Sequence, residues 1–115
     1  MGKLSKDKGA RGERELAGEL HRLFGVAARR GVQFRGGSDS PDVIADMPDV
    51  HIECKRCERL SIYAAMTQAV NDAGDKVPIV CHKQNRREWL VVVRLDDLPR
   101  LVAAIQTREG NQCER

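Results

Sequence analysis

At 115 residues the chain has room for a single domain with one core, and 41% hydrophobic with 32% charged residues is the composition of a globular fold, not of a membrane or disordered chain. No run of about 18 apolar residues exists to span a bilayer, and the opening MGKLSKDKGARGERE has no apolar stretch behind its basic start, so a secretory leader is not expected and a cytoplasmic location is. A net charge of +3 excludes a strongly basic nucleic-acid binder, and one Trp, one Tyr and two Phe exclude base stacking on aromatic platforms as the main binding mode.

The positive charge is clustered rather than spread. Lys3, Lys6, Lys8 and Arg11 crowd the start, Arg29, Arg30 and Arg35 form a second group, and Arg86 and Arg87 a third. Such clusters suit phosphate contacts or plain solubility, and both readings stand. Residues 1–8 are expected as a basic arm. From about Gly9 to Phe24, Leu16, Ala17, Leu20, Leu23 and Phe24 recur at helical spacing, with Arg14, Glu15, Glu19 and Arg22 off the stripe and Gly25 as a stop.

Residues 32–36 suit a short strand, and Gly36-Gly37-Ser38-Asp39-Ser40-Pro41 reads as a loop. The next segment predicts a β-hairpin turning about Met47-Pro48. A second helix spans 61–73, from Ser61 as N-cap to Gly74. Strands at 77–82 and 88–93 follow around the polar turn 83–87. A last helix over about 96–106 runs into a flexible tail, 107–115. The order α-β-β-β-α-β-β-α predicts one α/β domain over 1–115, a mixed sheet flanked by helices.

A turn at Met47-Pro48 sets Asp42 opposite Glu53, Val43 opposite Ile52, Ile44 opposite His51 and Ala45 opposite Val50. Side chains alternate along a strand, so Val43, Ala45, Val50, Ile52 and Cys54 share one apolar face, while Asp42, Glu53 and Lys55 share the other. Opposed Cβ atoms lie roughly 4.5–5.5 Å apart, and two carboxylates at that spacing repel unless something positive lies between them. A divalent cation does that, and hard oxygen donors suit Mg²⁺ or Mn²⁺. A solvated face neutralised by Lys55 and nearby arginines does it too. Glu13 favours the cation: it is the acid that lies on the apolar stripe of the first helix, where a carboxylate is expensive to bury without a partner. Lys55, two residues beyond Glu53 on the same face, is placed to position a water or to stabilise charge growing on a phosphate.

Pro41-Asp42, ten intervening residues, then Glu53-Cys54-Lys55 resembles the PD-(D/E)XK signature of a nuclease superfamily. Arg11-Gly12-Glu13 on the preceding helix is similar to that of the archaeal-type Holliday junction resolvases, and the likeness in element order covers roughly residues 8–95. It implies a restriction-endonuclease-like fold and a metal-dependent DNA endonuclease that hydrolyses phosphodiesters, acting on four-way junctions in recombination or repair. Its metal ligands would be Glu13, Asp42, Glu53 and the backbone carbonyl of Cys54, with Lys55 as catalytic lysine. Ser38 and Gln68 match a serine and a glutamine that serve the site in relatives; Gln68 reads equally as an exposed helical amide. Lys8, Arg11, Arg29, Arg30 and Arg35 would contact DNA, and two symmetric cuts imply a homodimer. The alternatives are the same chemistry on duplex or flap DNA in a restriction-like role, or a DNA-binding module without activity.

Other candidates carry less. Cys54-x-x-Cys57 with Cys81-His82 raises a zinc site, but a single CxxC is a weak signal, and the four cysteines are expected as free thiols. His51 is of a residue type suited to general-base work, yet at the edge of the site face it is expected to contact DNA or nothing. His21 and His82 have less to recommend them. Trp89–Val93, continuously apolar, is expected as a buried strand or part of a dimer interface.

Overall fold

The computed structural model describes the backbone of residues 2–31 and 42–113, with side chains over 9–31 and 42–106. Three helices and five strands follow in order: α1 (Gly2–Phe24), β1 (Ala28–Arg30), β2 (Val43–Ala45), β3 (Val50–Arg56), α2 (Ile62–Ala73), β4 (Val77–Lys83), β5 (Leu90–Val92), a 3-10 turn (Leu95–Asp97) and α3 (Leu98–Cys113). Among the described residues the order of element types matches the expected one, but its first strand is Ala28–Arg30 rather than 32–36. The strands lie in sequence order, β1-β2-β3-β4-β5, with β3 and β4 parallel and the other pairs antiparallel. α2 is the crossover that a parallel β3–β4 pair requires.

The hairpin register is the predicted one, Val43 opposite Ile52. Its apolar underside packs on α1: Val43, Val50 and Ile52 join Leu16, Ala17 and Leu20, with Val77, Ile79 and Cys81 of β4 and Leu101 of α3. α2 covers the opposite face through Ala65, Met66 and Ala69 on Val80. The sheet is thus a middle layer, and its central strand is buried on both faces at once. That is why Val50–Glu53 are all buried, where an exposed hairpin would alternate.

Gly12 shows how α1 is seated. It is buried, and a Cβ built there would lie 2.6 Å from Arg56 Cβ and 3.0 Å from Arg56 Cγ, on β3. Replacing a helical glycine with alanine ordinarily gains up to about 1 kcal/mol. Here the close approach outweighs that gain. Gly12→Ala is expected to destabilise the fold by about 1–3 kcal/mol, read from the denaturant midpoint of unfolding; a more stable variant would show that the two backbones are not held in contact.

Several expectations need correction. The 1–8 arm continues α1 from Gly2 on, since nothing between Lys3 and Lys8 breaks a helix. α3 runs on to Cys113 through most of the expected tail, because its one proline, Pro99, sits in the first turn where proline is tolerated. β1 was not expected. Ala28–Arg30 pairs with Val43–Ala45 because α1 ends at Gly25, with φ +66°, and turns the chain straight back onto the hairpin. The strand expected at 32–36 and the loop 36–41 lie outside the described residues. β5 is an edge strand, not a buried one: Leu90 and Val91 are 53% and 57% exposed, since β5 pairs with β4 alone among the described strands.

Candidate active site

The site begins where β2 and β3 part. Beyond the Val43–Ile52 pair, the Asp42 amide still donates to the Ile52 carbonyl at 3.1 Å. The next outward amide, Cys54 N–H, donates to Asp42 Oδ2 at 2.8 Å. A side chain thus takes over from the ladder and carries the Asp42 carboxylate to the edge of β3. Burial beside the Glu53 carboxylate, with which it shares a hydrogen bond, pushes the Asp42 carboxyl up to about 6 despite the Cys54 amide and nearby Lys55.

On β3 the upper face of the hairpin is shut off from solvent at His51 and Glu53, while Ile44 on β2 stays exposed. α2 lies over this part of β3, and the side chains of Glu53 and His51 are each 2% exposed. His51 Nε2–H donates to Glu53 Oε1 at 2.7 Å. His51 therefore neither faces DNA nor stands idle. Residues two apart on a strand share a face, which was legible in the sequence; the burial that commits the imidazole to Glu53 comes from α2. The Asp72 carboxylate, on α2, completes a group in which the ligand atoms of His51, Glu53 and Asp72 lie within 4.8 Å of one another. Nothing in the sequence marked Asp72, which comes over the pair only through the packing of α2.

The structure brings Lys55 and Gln68 together: Lys55 Nζ donates to Gln68 Oε1 at 2.9 Å, joining β3 to α2. Glu13 is engaged by Arg30, whose Nε donates to Glu13 Oε1 at 2.6 Å, and its side chain is 17% exposed. Its charge, with those of Asp42 and Glu15, adds to burial in raising the pKa of the Cys54 thiol. Ser38 and Arg35, and the side chain of Lys8, lie outside the described residues. Arg11 is exposed, and Arg29 and Arg30 line a shallow groove of about 630 Å³ between α1 and β1, with Arg14 and His21.

The chemistry of these groups suits a hard divalent cation. Asp42 and Glu53 offer oxygen donors, and the raised pKa of Asp42, caused first by burial and then by the neighbouring Glu53 carboxylate, marks a site where a cation would favour the ionised form. Zinc on cysteine does not fit. Burial pushes the Cys81 thiol up to about 12 and moves Cys54 the same way, away from the thiolate that zinc needs. The Cys57 thiol donates to the Arg59 carbonyl, and His82 Nε2 to the Cys57 carbonyl at 2.8 Å. Cys54, Cys57 and Cys81 are free thiols.

A mixed sheet between helices, with an aspartate entering one strand and Glu-x-Lys on the next, is the arrangement of the PD-(D/E)XK nucleases. A solved structure is similar in fold: Hjc of Archaeoglobus fulgidus, a Holliday junction resolvase from an archaeal hyperthermophile, is 28% identical and matches with a TM-score of 0.54 over 75% of this chain and 72% of its own. The family model described as "Phage putative PDDEXK endonuclease" matches residues 4–113, and the chain belongs to that family. No protein among curated sequences matches it. The protein is therefore a nuclease of PD-(D/E)XK type with an Hjc-like fold.

Proposed function

We infer that the protein is a divalent-metal-dependent endonuclease that hydrolyses DNA phosphodiesters, with branched DNA, the four-way junction above all, as its substrate. The observation that carries this reading is the Asp42–Glu53 carboxylate pair at the parting of β2 and β3, with Lys55 alongside. The likeness to a Holliday junction resolvase supports the choice of substrate.

Asp42 and Glu53 would hold the ion, Mg²⁺ or Mn²⁺, with the Cys54 carbonyl as a further donor. The bound ion would polarise the scissile phosphate and favour ionisation of the attacking water. Glu13, ion-paired to Arg30, reaches the ion if Arg30 turns to DNA phosphate instead. Lys55, steadied by Gln68, presents its ammonium to the attacking water or to the phosphoryl oxygens as charge grows on them. Ser38 belongs to the same assignment. Lys8, Arg11, Arg29, Arg30 and Arg35 would follow the DNA backbone. That role weakens binding steeply with salt, because each neutralised phosphate releases counterions.

A homodimer would present two such sites to the two strands a junction must lose. The exposed apolar residues Ile62, Tyr63 and Leu95, which line one groove with Val92 between α2 and β5, offer a face for the second copy. No described helix is long and apolar enough to cross a membrane, in keeping with work on cytoplasmic DNA in recombination or repair.

A cleavage panel tests the reading. Labelled four-way junction, flap, linear duplex and single strand are incubated with protein and Mg²⁺, and the junction is expected to give paired symmetric nicks. Preferential cutting of flap or duplex would move the protein to a repair or restriction role. No cutting of any substrate with either metal, alongside intact DNA binding, would leave a binding module.

A further inference from the structure

We propose that His51 is a positioning residue for the nuclease centre, fixing the Glu53 carboxylate so that one oxygen is turned to the cation. The proposal rests on the metal-dependent reading above and names a residue outside the aspartate, glutamate and lysine of the motif.

The geometry is that of a buried clamp. Glu53 lies on the central strand beneath α2, with Val80 of β4 as its register neighbour, and is 1% exposed. A carboxylate so placed has lost its water and needs hydrogen bonds from the protein. His51 Nε2–H supplies one to Oε1 at 2.7 Å from the same strand face, and Asp42 adjoins Glu53 from β2. Held from both sides, Glu53 cannot swing away when the ion leaves. The imidazole is as buried as its partner, at 2% exposure, so its orientation is set by packing against α2 as well as by the bond.

Asp72 approaches the same pair from α2. The imidazole is thus a hydrogen-bond donor set between Glu53 and Asp72, where another carboxylate would only add repulsion. A leucine at position 51 would fill similar space and leave Glu53 Oε1 without this donor. Hydrogen bonds to ligating carboxylates typically matter by about 10–100-fold in metal affinity when removed.

The test compares His51→Leu, which keeps bulk and removes the donor, with His51→Gln, which keeps an N–H at similar reach. Mn²⁺ binding to each full-length protein is measured by calorimetry, and cleavage is titrated against Mg²⁺. His51→Leu is expected to weaken Mn²⁺ binding at least about 10-fold and to raise the Mg²⁺ concentration for half-maximal cleavage in proportion, with the rate at saturating Mg²⁺ largely kept. His51→Gln is expected to stay within about 3-fold of the parent on the same scale.

Equal metal binding by His51→Leu and the parent would overturn the proposal while leaving the nuclease reading intact. Absence of Mn²⁺ binding by the parent would overturn both. Should His51→Leu fail to fold, ring ¹⁵N resonances of His51 in the unaltered protein decide: a shift on Mg²⁺ addition that saturates with metal binding supports the clamp, and an unmoved imidazole overturns it.

Discussion

Asp42→Asn is expected to cut metal-dependent DNA cleavage by about 10³-fold or more and, in the same protein, to raise its stability in the absence of metal. On the proposed assignment the loss follows from removing one of two charged oxygen donors to the cation, an effect of several kcal/mol on the transition state. The gain follows from the environment of Asp42. Its carboxyl is raised from 3.8 to about 6 by burial and by the neighbouring Glu53. The folded state therefore binds the Asp42 proton more tightly than the unfolded chain does. The Asp42 contribution to metal-free stability is fully present below about pH 4, is lost as pH rises through about 6, and stays lost above it.

Asparagine carries no charge to repel Glu53, while its side-chain oxygen can still accept from the Cys54 amide and its NH₂ can donate to Glu53. Above pH 6 the gain should be about 1–2 kcal/mol, less than the full shift implies because Asp42 is only part-buried. Thermal unfolding in chelator across the acid-to-neutral range measures it. Asp42→Asn unfolding at or below the parent temperature at neutral pH would show that the two carboxylates do not repel.

Lys55→Met is expected to slow cleavage by about 10²–10³-fold at saturating metal while leaving Mn²⁺ affinity and DNA affinity within a few-fold of the parent. The proposed function makes Lys55 a group of the chemical step and not a metal ligand; its ammonium is held at 2.9 Å from Gln68 Oε1, and methionine keeps the aliphatic stem. Gln68→Ala releases the ammonium without removing it and should cost only about 10-fold. Single-turnover rates with a labelled junction separate the two. A Lys55→Met protein that binds metal poorly would instead place Lys55 in the electrostatics of the ion site.

The hairpin was the most legible part of the chain because its information is local. A strand has a period of two, so once Met47-Pro48 is taken as the turn, the positions of Val43, Ile52, Asp42 and Glu53 follow without reference to anything else. The first helix was legible for a similar reason, its stripe from Leu16 to Phe24. The helix ends were misread locally, whereas the misreadings at the site and at β5 involve a partner distant in sequence. Periodicity cannot say that α2 closes over His51 and Glu53, that Arg30 meets Glu13, or that β5 stays at an edge. The same apolar run, Trp89–Val93, serves a buried strand and an edge strand alike.

What the sequence by itself determined was the set of chemical groups and their order along the chain: two acids and a lysine at strand spacing, preceded by Gly12-Glu13 on an amphipathic helix. That sufficed for the fold class and the nuclease family. Only the tertiary structure decided how those groups are held. Glu53 is clamped by a buried His51, Asp42 is bonded to the Cys54 amide, Lys55 is tied to Gln68, and α1 is drawn against β3 at Gly12. Each depends on which face a helix covers, and that is set by burial summed over the whole core rather than by any local pattern.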